Sequence, residues 1–182
     1  MKNITLIMLV IISFMLFSGN KITPLNNEIL EVETFSVEES LEAYIQISTP
    51  SVQVYYYTKK YCKEYNVPES VAFGVLKLET TYRGPHIYSY TPVQTSSGYA
   101  RGPYQLLVST ARDMYVLLGL GERQELTAEM LLVDVELNVK LGVRYLRWLN
   151  DNISTNWTVS CGFYNTGYKI VNQYALNATR YM

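Results

Sequence analysis

The chain is poor in the residues that most often carry chemistry. Among 182 residues there is one histidine, His86, and there are two cysteines, Cys62 and Cys161. A single histidine cannot serve a nucleophile–His–acid triad, and one His with two Cys makes a poor metal site. No metal or cofactor is expected. An excess of charge of one sign is also lacking: 15 Lys and Arg against 16 Asp and Glu leave −1. That balance offers no long-range attraction for nucleic acid and no basic membrane-binding surface. Convincing alternating strand patterns are absent apart from short segments such as Ile87 to Tyr90, and there is no repeat or low-complexity tract. Most locally, no Asp or Glu occurs between Thr80 and Arg112.

What the chain does have is tyrosine, 17 in all. Tyrosine offers a flat apolar face with a polar tip, suited to sugar rings as well as to a wet core. Five of them (Tyr82, Tyr88, Tyr90, Tyr99 and Tyr104) stand in the acid-free stretch, together with Gly84, Gly98 and Gly102. That stretch follows a predicted helix that begins near Pro68, a residue suited to a first helical turn. Ala72, Val75 and Leu76 share one face of this helix, and Glu79 continues the same face. By position alone, a Glu in the last turn is more often a solvated boundary residue. In line with an apolar stripe it is instead expected to lose water, and burial raises a carboxyl pKa towards the range of a proton donor. One acid facing a Tyr-rich, Gly-hinged loop reads as a sugar-binding cleft with a single proton donor.

The length allows one domain with a proper core. Residues 1–20 run from positive (Lys2) through an apolar segment, Ile4 to Phe17, to small and polar residues, in the order of a signal peptide. Without an A-x-A site, an uncleaved anchor fits as well, and export is expected in either case. Residues 21–51 read as an acidic spacer with a short helix near Glu38 to Ile47, and residues 52–182 as the domain. Its fold class is mostly α. Val54, Tyr57, Tyr61, Cys62 and Tyr65 mark a first helix that ends at the break Asn66-Val67-Pro68. Ser109 is predicted to cap a helix through Leu118, and Thr127 to open a short one. Asp134 to Leu149 carries the longest stripe, with Gly142 inside it as the sign of a close helix crossing. Trp157 to Tyr164 forms a helix closed near Gly167, and a last piece runs from Lys169 to Tyr181. Cys62 and Cys161 fit one disulfide or two buried thiols equally.

Four short motifs then occur in order. They are Glu79-Thr-Thr-Tyr82; Gly98-Tyr-Ala-Arg-Gly102-Pro-Tyr-Gln105 ahead of Ser109-Thr-Ala111; Asn138 with Gly142 and Tyr145-Leu146; and Phe163-Tyr164-Asn165-Thr-Gly167. This series resembles the soluble lytic transglycosylase family, of lysozyme-like fold and related to goose-type lysozymes, over about Tyr55 to Gly167 and more weakly to Tyr181. The resemblance implies Glu79 as catalytic acid/base and Tyr164 against its carboxyl, orienting it. It implies Gln105 in the cleft, Asn165 at the cleft floor, and Gly98 and Gly102 giving the loop backbone close access to the glycan. Thr80, Tyr82, Tyr99 and Tyr104 complete the implied substrate side. The chain departs from the family pattern at Thr80 (usually Ser), at Pro103-Tyr104 (usually Leu-Met) and at Phe163 (usually Ala). Its loop between Glu79 and Gly98 is long.

The implied reaction cleaves the β-1,4 bond between N-acetylmuramic acid and N-acetylglucosamine of peptidoglycan with a 1,6-anhydro product. A two-carboxylate hydrolase would need a second acid about 5 to 9 Å from the first; none lies between Glu79 and Asp113, and Asp134 and Glu136 are expected to face solvent. Two rivals remain: a muramidase of the same fold with water as nucleophile, and a non-catalytic peptidoglycan-binding envelope module. The implied partner is the glycan strand, with a secretion, conjugation or phage assembly as setting. Arg83 and Arg101 would meet stem-peptide carboxylates or solvent. His86 is expected to be solvated.

Overall fold

The computed structural model describes residues 36–80, 82–83, 94–95 and 98–180. The leader at 1–20, the first part of the spacer, His86 and the Ile87 to Tyr90 strand expectation lie outside those residues. All the elements below belong to the compact unit Ser36–Met182. Among the described residues no helix is long and apolar enough to cross a membrane.

The first helix, α1 (Val37–Gln46), lies in the predicted spacer and starts with a reciprocal cap. Ser36 Oγ accepts from the Glu39 N–H at 3.1 Å, and Glu39 Oε2 accepts from the Ser36 N–H at 2.7 Å. Helix α2 (Pro50–Tyr65) has proline at its first position and buries Val54, Tyr57, Thr58, Tyr61 and Cys62, while Tyr65 is only partly buried. It ends at Asn66, whose φ of 54° is a left-handed conformation that asparagine tolerates better than most residues. Helix α3 (Glu69–Glu79) follows, with Pro68 one position ahead of it rather than inside its first turn. Val71, Ala72, Val75 and Leu76 are fully buried along one stripe.

A three-stranded antiparallel sheet, β1 (Gln94–Thr95), β2 (Gly98–Arg101) and β3 (Leu106–Leu107), occupies the second half of the Tyr-rich stretch. Gln94 pairs with Tyr99, and Ala100 with Leu107. Helix α4 (Val108–Leu117) starts directly from β3 with Leu107 at the capping position, so the predicted Ser109 cap is not used. Helix α5 (Met130–Val133) is a single turn, and Thr127 Oγ1 accepts from the Met130 N–H at 3.2 Å.

Helix α6 (Val135–Asn152) is the longest and makes its most extensive pairing with α2. Val139, Leu141, Val143, Leu146 and Leu149 are fully buried on it. Each such side chain is worth about 1.5–3 kcal/mol of transfer from water, a sizeable fraction of a domain's net 5–15 kcal/mol. Gly142 does mark a close approach, but of a side chain and not of a helix backbone: a Cβ there would collide with the Tyr104 ring. Glu136 is not solvent-facing as expected. It accepts from Tyr61 Oη at 2.6 Å and lies 3.4 Å from Lys60 Nζ, which also reaches Glu42 at 2.7 Å, so α1, α2 and α6 are tied together.

Helix α7 (Trp157–Thr166) ends at Gly167 with φ of 75°, and α8 (Gln173–Ala178) is much shorter than the piece expected from Lys169 to Tyr181. It packs against α3 where Gly74 has no side chain; a Cβ at Gly74 would strike the Ala178 carbonyl. Cys62 and Cys161 are both buried and both free thiols. The architecture is mostly α, eight helices and one small sheet among the described residues, consistent with a lysozyme-like domain.

Candidate active site

Glu79 is the last residue of α3 and is partly buried. It occupies that place because the stripe of Ala72, Val75 and Leu76 turns the same face of the helix inward. The helix stops there because Thr80 turns extended (φ −133°, ψ 179°). The Thr80 hydroxyl is spent on this stop, donating to the Leu76 carbonyl at 2.8 Å and accepting from the Tyr82 N–H at 3.3 Å. Thr80 is buried and acts on the backbone, not on a substrate surface.

A phenol covers the Glu79 carboxyl, but not the predicted one. Tyr174 Oη donates to Glu79 Oε1 at 2.5 Å. Burial pushes the Glu79 pKa above its ordinary value, and the Tyr174 hydrogen bond only partly opposes that shift. Tyr174 is held by the frame of α8. Asn172 Oδ1 accepts from the Ala175 N–H at 2.9 Å, while Asn172 Nδ2 donates to Asn165 Oδ1 at 3.1 Å. Asn165 is exposed and orients this connection to α7.

The Tyr164 hydroxyl donates to the Tyr104 carbonyl at 2.5 Å. The expectation that it rests on the Glu79 carboxyl is therefore corrected. Tyr164 stands close enough for the Glu79 charge, after burial, to help raise its pKa, and its ring lies 5.3 Å from that of Tyr145. Its proton is committed to the loop backbone, so its effect on the site runs through the turn it holds.

That turn is Gly102 to Gln105, closed by the Gln105 N–H on the Gly102 carbonyl at 3.1 Å. Gln105 has φ of 44°, a strained left-handed conformation for a residue with a side chain. Asn138 on α6 supports it. This fully buried amide accepts from the Tyr104 N–H at 3.0 Å and donates to the carbonyls of Arg101 at 3.0 Å and Leu131 at 3.1 Å. Gly102 has φ of 69°, and any Cβ on it would strike the Asn138 amide. Gly102 thus makes room for Asn138 and not for a glycan, a second correction. Gly98, at φ of 115°, is exposed with open space where a Cβ would lie. Gln105 Nε2 donates to the Gly102 carbonyl at 2.7 Å, while its Oε1 is buried with no hydrogen-bond partner among the described residues.

Two of the expected tyrosines face inward. Tyr104 is fully buried under Gly142, with its hydroxyl 3.3 Å from Thr58 Oγ1 and donating to the Ala72 carbonyl at 3.4 Å. It joins α2, α3 and α6 and offers no surface to a substrate. Tyr82 is 5% exposed, with its ring stacked at 6.0 Å on Phe73. Tyr99 is 45% exposed, with the Arg101 guanidinium 4.8 Å over its ring, and remains accessible as a platform. Among the described residues no group of three or more His, Cys, Asp or Glu side chains could hold a metal ion.

The structure thus gathers Glu79, Tyr174, Tyr164 and the Gln105 turn, and leaves Thr80, Tyr82, Tyr104 and Gly102 as its supports. Tyr174 was missed in the sequence. Its only local signal is the Asn172 cap with Ala175 and Ala178 at helical spacing, too little periodicity for a six-residue helix to announce its face. No curated protein matches the chain. The family model described as the transglycosylase SLT domain matches residues 56–181, which spans α2 to α8 and includes all of the residues above. The chain therefore belongs to the transglycosylase SLT domain family, whose activity is peptidoglycan cleavage of the lytic transglycosylase type.

Proposed function

We propose that the protein is an exported peptidoglycan lytic transglycosylase in which Glu79 is the single acid and base. The observation that carries this reading is a partly buried carboxyl with raised pKa, held by one phenol, with no second carboxylate among the causes of its shift. In the first step protonated Glu79 donates its proton to the glycosidic oxygen, and the C1–O bond to N-acetylmuramic acid breaks. The substrate's own acetamido group stabilises the cationic carbon, taking the place of a second carboxylate. In the second step the Glu79 carboxylate removes the proton from the muramic C6 hydroxyl. That oxygen then bonds to C1 and closes the 1,6-anhydro ring. The second step returns the proton to Glu79, so one group must both give and take it, which favours a carboxyl pKa above its ordinary value.

Tyr174 holds the carboxyl in place through both steps, and Gln105 is the residue we assign to hydrogen-bonding substrate amides or hydroxyls. Export rests on the positive, apolar and small-polar order of residues 1–20. The test is digestion of purified peptidoglycan by the chain without residues 1–20, with product masses measured. Anhydro ends, one water lighter than reducing ends, support the proposal. Reducing ends would assign water as the nucleophile, and binding without release of muropeptides would sink the enzyme reading.

A further inference from the structure

The outer face of α3 carries a groove that the Glu79 site does not use. At 100° per residue, Lys77 lies about 160° and Phe73 about 120° around the helix from Glu79. Two hollows of about 390 Å³ and about 320 Å³ adjoin there and share Phe73 and Lys77 as lining residues. One runs between α3 and the end of α8, past Leu78 and Asn177. The other is walled by an aromatic ladder: Tyr55 and Phe73 with ring centroids 5.6 Å apart, then Phe73 and Tyr82 at 6.0 Å.

The charge around these walls is of one sign. Among the described residues the lining includes Lys77 and Arg83 and contains no Asp or Glu, in a chain whose net charge is −1. Lys59, 5.6 Å over the Tyr55 ring, is paired with Glu69 at 3.9 Å and so adds no net charge to the walls. The Arg83 guanidinium donates to the Tyr82 carbonyl at 3.1 Å, which fixes it at the rim. Lys77 is exposed at the junction of the two hollows. Tyr55 and Leu78, each 38% exposed, are the apolar surface a ligand would cover.

We propose that this groove docks an acidic peptide segment bearing an aromatic or aliphatic side chain, at a site separate from the glycan cleft. Such a segment would lay its apolar side chain on Phe73 and Tyr55 and place flanking carboxylates on Lys77 and Arg83. An anionic polymer without apolar groups would satisfy the cations and leave the aromatic walls wet, so charge and shape together favour the peptide. Rim ion pairs of this kind are individually weak, and the expected dissociation constant for a short peptide is on the order of 0.1–1 mM.

The test uses the full chain and a rhodamine-labelled Glu-Glu-Phe-Glu-Glu peptide, followed by fluorescence anisotropy. Controls replace the glutamates by glutamine or the phenylalanine by alanine. The labelled peptide should bind at least about threefold more tightly than either control. Lys77→Glu should weaken binding by roughly tenfold, Lys77→Gln by less, and both should leave muropeptide release unchanged. Equal binding of the alanine control, displacement by polyphosphate regardless of the aromatic residue, or indifference to Lys77→Glu would each overturn the proposal. Loss of peptidoglycan digestion in a folded Lys77→Glu chain would also overturn it, by making the groove part of the glycan site. Failure of digestion in the unsubstituted chain would refute the enzyme reading alone.

Discussion

Tyr174 and Glu79 stand 95 residues apart in sequence and meet through one hydrogen bond, Oη to Oε1 at 2.5 Å. The phenol is a neutral donor, so it stabilises the carboxylate without adding a charge. Burial acts the other way and is the larger effect. The carboxyl is therefore left above its ordinary pKa while its geometry is fixed.

From this pair comes the first prediction. Tyr174→Phe removes the one interaction that lowers the Glu79 pKa, so that pKa should rise further. Activity that depends on protonated Glu79 is lost as pH rises through this pKa, so the alkaline limb of the pH–rate profile should move to higher pH. The maximal rate should fall by about tenfold, because the carboxyl is no longer held, corresponding to roughly 1.4 kcal/mol of the barrier. An unmoved alkaline limb would show that Tyr174 does not act through Glu79.

Glu79→Gln should lower muropeptide release by about 10²-fold or more, the usual contribution of a positioned general acid. The same substitution should affect stability with the opposite sign. A raised folded pKa means that the folded protein favours the neutral carboxyl; the stability tied to it is fully present below the unfolded pKa and is lost as pH rises through the folded one. Glu79→Gln should therefore raise the melting temperature near neutral pH, and the gain should vanish below about pH 4. Melting curves across pH check the sign, and a variant less stable than the parent at neutral pH would contradict the burial argument.

Asn138→Ala should cost about 2–4 kcal/mol, because it orphans the buried Tyr104 N–H and takes the amide donor from the buried Leu131 carbonyl and the partly buried Arg101 carbonyl. Chemical denaturation measures this cost. Asn138→Asp keeps an acceptor for Tyr104 but buries a charge and sets an oxygen against both carbonyls, so at neutral pH it should cost at least as much. In chains that remain folded, KM should rise more than kcat falls, since the turn carrying Gln105 loses its support while Glu79 keeps its own.

Burial pushes both Cys62 and Cys161 up to about 12. Neither thiol should react with a disulfide reagent at pH 8 in the folded protein, and both should react after denaturation. A native chain with no titratable thiol in denaturant would instead indicate a bond between them.

Much of the fold could be read directly from the residues. The stripes of α2, α3 and α6, the stop at Asn66 and the close at Gly167 are local, since each rests on contacts within a few residues of the same helix. The face on which Glu79 lies follows from the same 3.6-residue period. The Ser109 cap was misread because strand pairing, which the sequence does not display, delivers the chain into α4 one residue after β3.

What the sequence determined by itself is therefore the set of helices, the inward turn of Glu79 and the order of its motifs, because those follow from spacing along one chain. Tertiary structure alone decided that Tyr174 and not Tyr164 holds the carboxyl, that Tyr104 points into the core, and that Gly102 yields its space to Asn138. Each of these is a contact between residues 32 to 95 positions apart, set by which helix lies against which, and no local period encodes that choice.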